Sequence, residues 1–169
     1  ILDLSHTLSG PMATMILGDY GAEILKIERP GIGDETRSWG PPFIESKDSK
    51  EKESAYFLCL NRNKRSVTVN IKDPEGQIIL HKLAAKCDVF IANFPSGKLK
   101  KYNLDWEYMR KNVNEKLVYV NISGYGQDGA YAQRPAYDLI MEGESGLTDL
   151  ISKLANSKVP LTAGLPVSD

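Results

Sequence analysis

The sequence has few cysteines, no long apolar run and no excess of one charge, and each absence excludes a class of protein. Cys59 and Cys87 are the only cysteines, and they stand in no metal-ligand spacing such as CxxC. Neither a disulfide framework nor a zinc site is therefore expected, and reduced, buried thiols in an intracellular protein are the simpler interpretation. No apolar segment reaches the roughly 20 residues of a membrane-spanning helix. The net charge of −1 gives no bulk attraction to nucleic acid or to an anionic membrane.

Common catalytic motifs are also missing. The segment "SHTLSGP" has one glycine where a dinucleotide site needs GxGxxG, and no GxxxxGK[ST] occurs, so NAD binding and NTP hydrolysis are disfavoured. His6 follows a predicted strand without a GxSxG motif, whereas His81 lies in an amphipathic helix and is predicted to pack or face solvent. Carboxylates remain as possible nucleophiles. Asp138 begins a predicted helix, which favours an N-cap role, and sequence alone does not select Asp169.

The composition is typical of a globular protein with a hydrophobic core. Of the 169 residues, 41% are hydrophobic and 25% are charged, which is enough to bury the core of one domain. The chain begins with Ile1 rather than Met, so we expect a piece of a longer protein, cut at both ends, with any targeting segment outside it.

Predicted strands and helices alternate along the chain. The strands are "ILDLS", "EILKIERP", "VTVNI", "DVFIANF" and "KLVYVNISGYG", the last two being apolar enough for burial on both faces. Helices are predicted in "MATMILGDYGA", after the cap Asp73, after the cap Asp105 and in "YDLIMEGESGLTDLI". Residues 31–53 are predicted to be loop, and "SAYFLCLNRNKRS" a short helix with a basic turn. This order predicts an α/β fold with a mostly parallel sheet and right-handed crossovers. The helix after Asp73 is predicted to bury Ile79, Leu80, Leu83, Ala84 and Cys87.

The carboxyl ends of these strands carry glycines, turns and cations. Ligands of open α/β sheets bind at this edge. "LSGP", Arg29, Lys72, "NFP" with the basic "KLKK", and "SGYGQDG" follow successive strands. Arginine and lysine are the residues that meet phosphate oxygens, so the edge is predicted to bind a nucleotide-like ligand.

Several long segments in order resemble the class III CoA-transferases, the family of formyl-CoA transferase and carnitine CoA-transferase. They are "ILDLSHTLSGPMATMILGDYGAEILKIERPGIGDETRSWGPP", "NRNKRSVTVNIKDPEG", "CDVFIANF", "SGYGQDG" and "RPAYD". The pattern is most similar to members that move CoA between dicarboxylates. The resemblance implies a homodimer of two interlocked rings, with a Rossmann-like large domain whose incomplete N-terminal portion is residues 1–169. It also implies an intracellular enzyme, in the mitochondrial matrix of a eukaryote or the cytoplasm of a bacterium.

The resemblance assigns the nucleophile to Asp169. This carboxylate would attack an acyl-CoA such as succinyl-CoA, forming a mixed anhydride and then an aspartyl-CoA thioester that transfers CoA to an acceptor carboxylate. The partners are thus an acyl-CoA and a small carboxylic acid. No metal, permanently bound cofactor, nucleic acid or membrane is implied.

The resemblance also assigns the CoA-binding positions. Leu8 replaces a glutamine of formyl-CoA transferase, which argues against an oxalate-type substrate, and Lys101 replaces an arginine. Related acyl-CoA racemases have a histidine at Tyr137, and a tyrosine with a pKa of about 10 is a poor base, so transfer is favoured over racemisation. A CoA-binding fragment without activity is the other alternative. The implied CoA-binding residues are Leu8, Ser9, Arg29, Val69, Asn70, Ile71, Lys72, Asn93, Phe94, Pro95, Lys101, Arg134, Tyr137 and Asp138.

Overall fold

The computed structural model describes residues 1–45 and 52–166. The chain divides into two compact units, Ile1–Ile122 and Ser123–Asp169. Within the described ranges, no helix combines the length and the apolar character needed to cross a membrane.

A five-stranded parallel sheet forms the centre of the first unit. Its strands lie in the order β5-β2-β1-β6-β7, and every neighbouring pair is parallel. The predicted α/β class with a mostly parallel sheet is therefore confirmed. The strands are β1 (Leu2–Asp3), β2 (Ile24–Glu28), β5 (Lys64–Thr68), β6 (Val89–Ala92) and β7 (Val118–Asn121), and an antiparallel hairpin is formed by β3 (Phe43–Glu45) and β4 (Lys52–Ser54).

Local capping explains where the helices of this unit begin. The Asp73 carboxylate accepts a hydrogen bond from the N–H of Glu75, with Pro74 at the first helical position, and Asp105 accepts from Tyr108. Both predicted caps are confirmed. The helices are α1 (Ser9–Asp19), α2 (Ala55–Leu60), α3 (Pro74–Ala84) and α4 (Trp106–Asn112), with 3-10 turns at Glu35–Ser38 and Lys100–Tyr102.

The core of the first unit lies where α3 and α4 cover the middle of the sheet. Leu2 of β1 and Phe90 of β6 are completely buried, together with Leu80 and Met109 of the two helices. The buried face of α3 is narrower than predicted, because Leu80 and Ala84 are buried whereas Ile79 is 47% exposed. Leu83 and Cys87 pack against the core only in part.

Four other predictions about the first unit are wrong. Residues 31–53 contain a 3-10 turn and the β3–β4 hairpin as well as loop, and residues 46–51 of the predicted excursion lie outside the described ranges. Strand β5, the third strand of the sheet in chain order, begins at Lys64, inside the predicted basic turn, because pairing with β2 extends from Ile24↔Lys64 to Glu28↔Thr68. Cys59 is exposed, although a buried thiol was predicted. Strand β7 alternates exposed and half-buried residues, although a strand buried on both faces was predicted. Burial in both cases depends on which other segments of the chain pack over the residue, and local sequence does not encode that.

The second unit contains two helices where one helical run was predicted. These are α5 (Asp138–Glu144) and α6 (Leu147–Leu154), and they are separated at Gly146, which has a φ of +78°. That left-handed conformation suits glycine and interrupts the run. Asp138 is the first helical residue and Tyr137 is the N-cap, so the cap prediction for Asp138 is wrong. The buried Glu142 carboxylate accepts a hydrogen bond from the N–H of Ala163, which fixes the segment after α6.

A buried carboxylate at the end of β2 holds the loop that follows. The Arg37 guanidinium donates two hydrogen bonds of 2.8 Å to Glu28, which also accepts from the Ser66 hydroxyl and from the N–H of Asp34. Burial alone would raise the pKa of Glu28, but the donors from Arg37, Ser66 and Asp34 lower it to about 2. The charged form of Glu28 is therefore part of the folded structure.

We predict that Glu28 stabilises the fold in a pH-dependent way. The folded protein binds this proton more weakly than the unfolded chain, whose ordinary pKa is 4.5. The stabilisation is thus complete above pH 4.5 and is lost as the pH falls toward about 2, with a total of up to about 3 kcal/mol. Urea unfolding between pH 7 and pH 2.5 should show a shallower acid slope in Glu28→Gln. Glu107→Gln, at an exposed position of α4, should keep the parent slope, and an unchanged slope in Glu28→Gln would contradict the assignment.

Candidate functional site

The first unit has a cavity at the carboxyl ends of its strands. Its volume is about 270 Å³, and its wall combines the ends of β1, β2, β5 and β6 with the loop after β2. This is the edge at which parallel α/β sheets bind ligands. The lining residues are Leu4, Ser5, His6, Lys26, Ile27, Glu28, Arg29, Gly33, Asp34, Val69, Asn70, Ile71, Lys72, Phe94, Lys98 and Tyr102.

The turn after β5 is held against α3 by a glycine. A Cβ added to Gly76 would lie 2.2 Å from the carbonyl oxygen of Asn70, so only glycine allows this approach. The Asn70 side chain accepts a hydrogen bond from the N–H of Lys72, and the N–H of Val69 donates to the carbonyl of Glu28. The segment 69–72 is thereby fixed at the cavity wall.

Both acids that line the cavity are already neutralised by partners. Lys26 and Asp34 form an ion pair of 2.9 Å with side chains only 2% and 1% exposed, and the Lys26 ammonium also donates to the carbonyl of Ser5. Burial would raise the pKa of Asp34, but the charge and the hydrogen bond of Lys26 together with the hydrogen bonds from Thr36 outweigh it and hold that pKa below its usual range. Glu28 is neutralised by Arg37. The acids therefore contribute little negative field to the cavity.

Three cations at the cavity lack such partners. Arg29, Lys72 and Lys98 are exposed, and none of them forms an ion pair with any residue in the described part of the chain. Their positive charge is therefore uncompensated around a partly apolar wall. Such an arrangement can bind an anion such as phosphate, because the attraction between a cation and a ligand anion is strongest when no carboxylate of the protein already pairs with that cation.

An aromatic pair forms another part of the wall. The rings of His6 and Phe94 meet edge to face, with centroids 4.8 Å apart and an interplanar angle of 85°. Burial lowers the pKa of His6 below its ordinary value, with Lys26 and Arg29 acting in the same direction and Asp34 opposing. At neutral pH the imidazole is therefore mainly uncharged, and it can serve as a hydrogen-bond donor or acceptor toward a ligand.

The cavity brings together six of the predicted CoA-binding residues. They come from the ends of three strands and are Arg29, Val69, Asn70, Ile71, Lys72 and Phe94. The predicted residues Leu8, Ser9, Asn93 and Pro95 belong to the same edge but do not line the cavity. Lys101 does not line it either, and its ammonium lies 4.8 Å from the centroid of the Tyr102 ring.

The remaining predicted residues lie outside the first unit. Within the second unit, Arg134 lies 4.0 Å from the centroid of the Tyr131 ring and 4.0 Å from the Glu144 carboxylate. Tyr137 is 66% exposed and Asp138 opens α5. Asp169 lies outside the described ranges, so its role stays a prediction.

Sequence reasoning missed several residues of the cavity. Lys98 belongs to the "KLKK" cluster that follows β6, so the local signal was present but pointed to Lys101. His6 stood at a strand end and was considered only as a catalytic base. Lys26 and Asp34 carry no motif, because their pairing depends on the loop after β2 folding back. Among residues 1–45 and 52–166, no group of three or more His, Cys, Asp or Glu side chains could hold a metal ion.

The chain is similar to named CoA-transferases. It is 52% identical over 147 residues to "Succinyl-CoA:glutarate CoA-transferase" of Mus musculus, a match that covers 87% of this chain and 32% of the mouse protein. It is 46% identical over 169 residues to the Homo sapiens protein of the same name, covering all of this chain and 36% of that protein. The chain thus spans about a third of the length of these curated relatives.

A solved structure supports the same relationship. The crystal structure of a CAIB/BAIF family protein from Brucella suis is 39% identical and superposes with a TM-score of 0.89, covering 98% of this chain and 42% of that chain. The sequence profile of CoA-transferase family III matches residues 1–169. The fold, the relatives and the profile match over residues 1–169 together show that this chain belongs to CoA-transferase family III.

Proposed function

We propose that this chain is the CoA-binding portion of an enzyme that transfers CoA from an acyl-CoA to a carboxylic acid. The observation that carries the proposal is a set of three cations at the cavity, Arg29, Lys72 and Lys98, that form no ion pair within residues 1–45 and 52–166. CoA carries a diphosphate and a 3′-phosphate, so it needs several cations that are not engaged with internal carboxylates. The two acids of the cavity wall are paired elsewhere, Asp34 with Lys26 and Glu28 with Arg37, so they leave the three exposed cations available for phosphate.

The shape and polarity of the cavity suit one end of a CoA molecule. Ile27, Val69, Ile71 and Phe94 supply apolar surface beside the cations, which matches a nucleotide with a flat base and charged phosphates. A volume of about 270 Å³ is enough for part of CoA only. The acyl-pantetheine part must therefore extend beyond this cavity.

The names of the relatives support dicarboxylates as substrates. Both mammalian relatives are named for succinyl-CoA and glutarate. We assign succinyl-CoA or a similar dicarboxylyl-CoA as the donor and a small carboxylic acid as the acceptor. The family resemblance further supports an intracellular homodimer as the working form.

The proposed chemistry uses Asp169 as the nucleophile. Its carboxylate attacks the thioester carbonyl and the C–S bond breaks, which forms a mixed anhydride and releases CoA as the thiolate. The thiolate then attacks the aspartyl carbonyl, which releases the donor carboxylate and leaves an aspartyl-CoA thioester. The acceptor carboxylate attacks the carbonyl of this thioester and displaces the CoA thiolate, which forms a second mixed anhydride. The thiolate then attacks the acceptor's carbonyl in that anhydride, which gives the new acyl-CoA and frees the Asp169 carboxylate. A carboxylate suits both roles because it is a nucleophile and a leaving group of similar strength.

We predict that the unpaired cations determine CoA affinity. Lys98→Met should weaken CoA binding by about fivefold at low salt, since one exposed phosphate contact is worth on the order of 1 kcal/mol. Isothermal titration at 50 mM and 300 mM salt should show a smaller difference at the higher salt. Lys86→Met, the same substitution at an exposed position after α3, is the control and should bind like the parent. Equal affinity of Lys98→Met and the parent at low salt would contradict the phosphate contact.

We predict that Asp169 forms the covalent intermediate. In the natural gene product, incubation with succinyl-CoA should give an adduct that hydroxylamine cleaves, and mass spectrometry should locate it at Asp169. Asp169→Ala should lose the adduct and lower transfer to glutarate by at least about a thousandfold, because no other group replaces the nucleophile.

A control variant and an assay for racemisation complete the test of Asp169. Asp149→Asn, at an exposed helix position paired with Lys153, should retain both adduct and transfer. Transfer that survives Asp169→Ala would show that the nucleophile is misassigned. Deuterium uptake at the α-carbon of a branched acyl-CoA, without transfer, would show a racemase instead.

A further inference from the structure

Two asparagine side chains join the backbones of neighbouring strands beside the cavity. Asn93, directly after β6, accepts a hydrogen bond of 3.0 Å from the N–H of His6 and donates one of 2.7 Å to the His6 carbonyl. Asn121, the last residue of β7, accepts from the N–H of Phe94 at 3.1 Å and donates to the Phe94 carbonyl at 3.0 Å. The same two-bond contact therefore occurs twice along one edge.

These contacts begin where the backbone hydrogen bonds of the sheet end. The N–H of Leu4 donates to Ile91 between β1 and β6, and the N–H of Ile122 donates to Ala92 between β7 and β6. His6 and Phe94 follow these last backbone bonds, and their own N–H and carbonyl groups still require partners. A primary amide offers one acceptor and a donor with the geometry of a peptide group, so each asparagine extends the pairing by one residue.

The residues held in this way are the aromatic pair of the cavity wall. His6 and Phe94 contact each other edge to face, and both line the cavity. Neither Asn93 nor Asn121 lines it. The Asn93 amide already uses its oxygen and one N–H on His6, so its main structural effect is on the position of that residue.

We propose that Asn93 and Asn121 are positioning residues for CoA binding, with Asn93 acting through His6 and Asn121 through Phe94. Each fixes both backbone polar groups of the residue it contacts, and thereby orients a ring that meets the ligand. The inference rests on the proposed CoA-binding function of the cavity. It assigns Asn121 a role in the site and makes the contribution of Asn93 indirect.

Asn114 provides a matched control with similar bonds at the other end of the sheet. Its amide donates a hydrogen bond of 3.0 Å to the Cys87 carbonyl, and its oxygen accepts one of 3.0 Å from the N–H of Lys116. It also joins two chain segments but lies before β7 and does not line the cavity. Asn114→Ala therefore measures the effect of losing such bonds on stability alone.

The first measurement compares CoA affinity among these variants of the natural gene product. Titration calorimetry with CoA should show binding about five- to tenfold weaker in Asn121→Ala and Asn93→Ala, the loss that a displaced contact of about 1 kcal/mol produces. Asn114→Ala should bind CoA with an affinity within about twofold of the parent. Urea unfolding should nevertheless show that it loses about as much stability as the other two variants. If an alanine variant fails to fold, the aspartate variant keeps the shape and removes one donor, and it should show the same direction of change.

Double-mutant cycles then distinguish positioning from direct contact. The effect of Asn121→Ala should disappear in a Phe94→Ala background, and that of Asn93→Ala in a His6→Ala background, because no ring remains to be oriented. Additive effects would overturn the proposal, as would parental affinity in both asparagine variants. A parent protein that binds no CoA would instead refute the proposed function, and the positioning proposal with it.

Discussion

The ion pair between Lys26 and Asp34 is the interaction on which the cavity depends. Lys26 comes from the interior of β2, and its ammonium joins the carbonyl of Ser5 after β1 to a carboxylate from the next loop. Charges this deeply buried are stable only when they are paired, so the loop must fold back over the strand ends for either charge to be tolerated. One electrostatic requirement thus sets the position of three chain segments.

The same requirement sets the electrostatic character of the site. Two acids lie at the cavity wall, and each is matched by a cation of the same network, Asp34 by Lys26 and Glu28 by Arg37. Since no carboxylate of the described residues pairs with the exposed cations at the wall, these cations act on solvent and ligand. A site for a polyphosphate ligand arises in this way in a chain whose net charge is only −1.

Features that depend on a few consecutive residues could be predicted from the sequence. The caps Asp73 and Asp105 act on N–H groups two or three residues away, so their roles were clear before the fold was known. The start of β5 at Lys64 and the exposure of Ile79 were predicted wrongly, because each depends on a distant partner. The break at Gly146 was missed for a different reason. The apolar spacing predicted one helical run, but the left-handed backbone of this single glycine divides it into two helices.

The sequence by itself determined the α/β class, the helix starts at Asp73 and Asp105, and the family, since each rests on local spacing or on long motifs in order. Only the tertiary structure decided which charged residues are free to bind. Lys26 and Arg29 are three positions apart and equally basic in the sequence, yet Lys26 is buried against Asp34 whereas Arg29 is exposed at the cavity. The physical reason is that a charge is neutralised by the groups it meets in space, and those groups come from segments that only folding brings together.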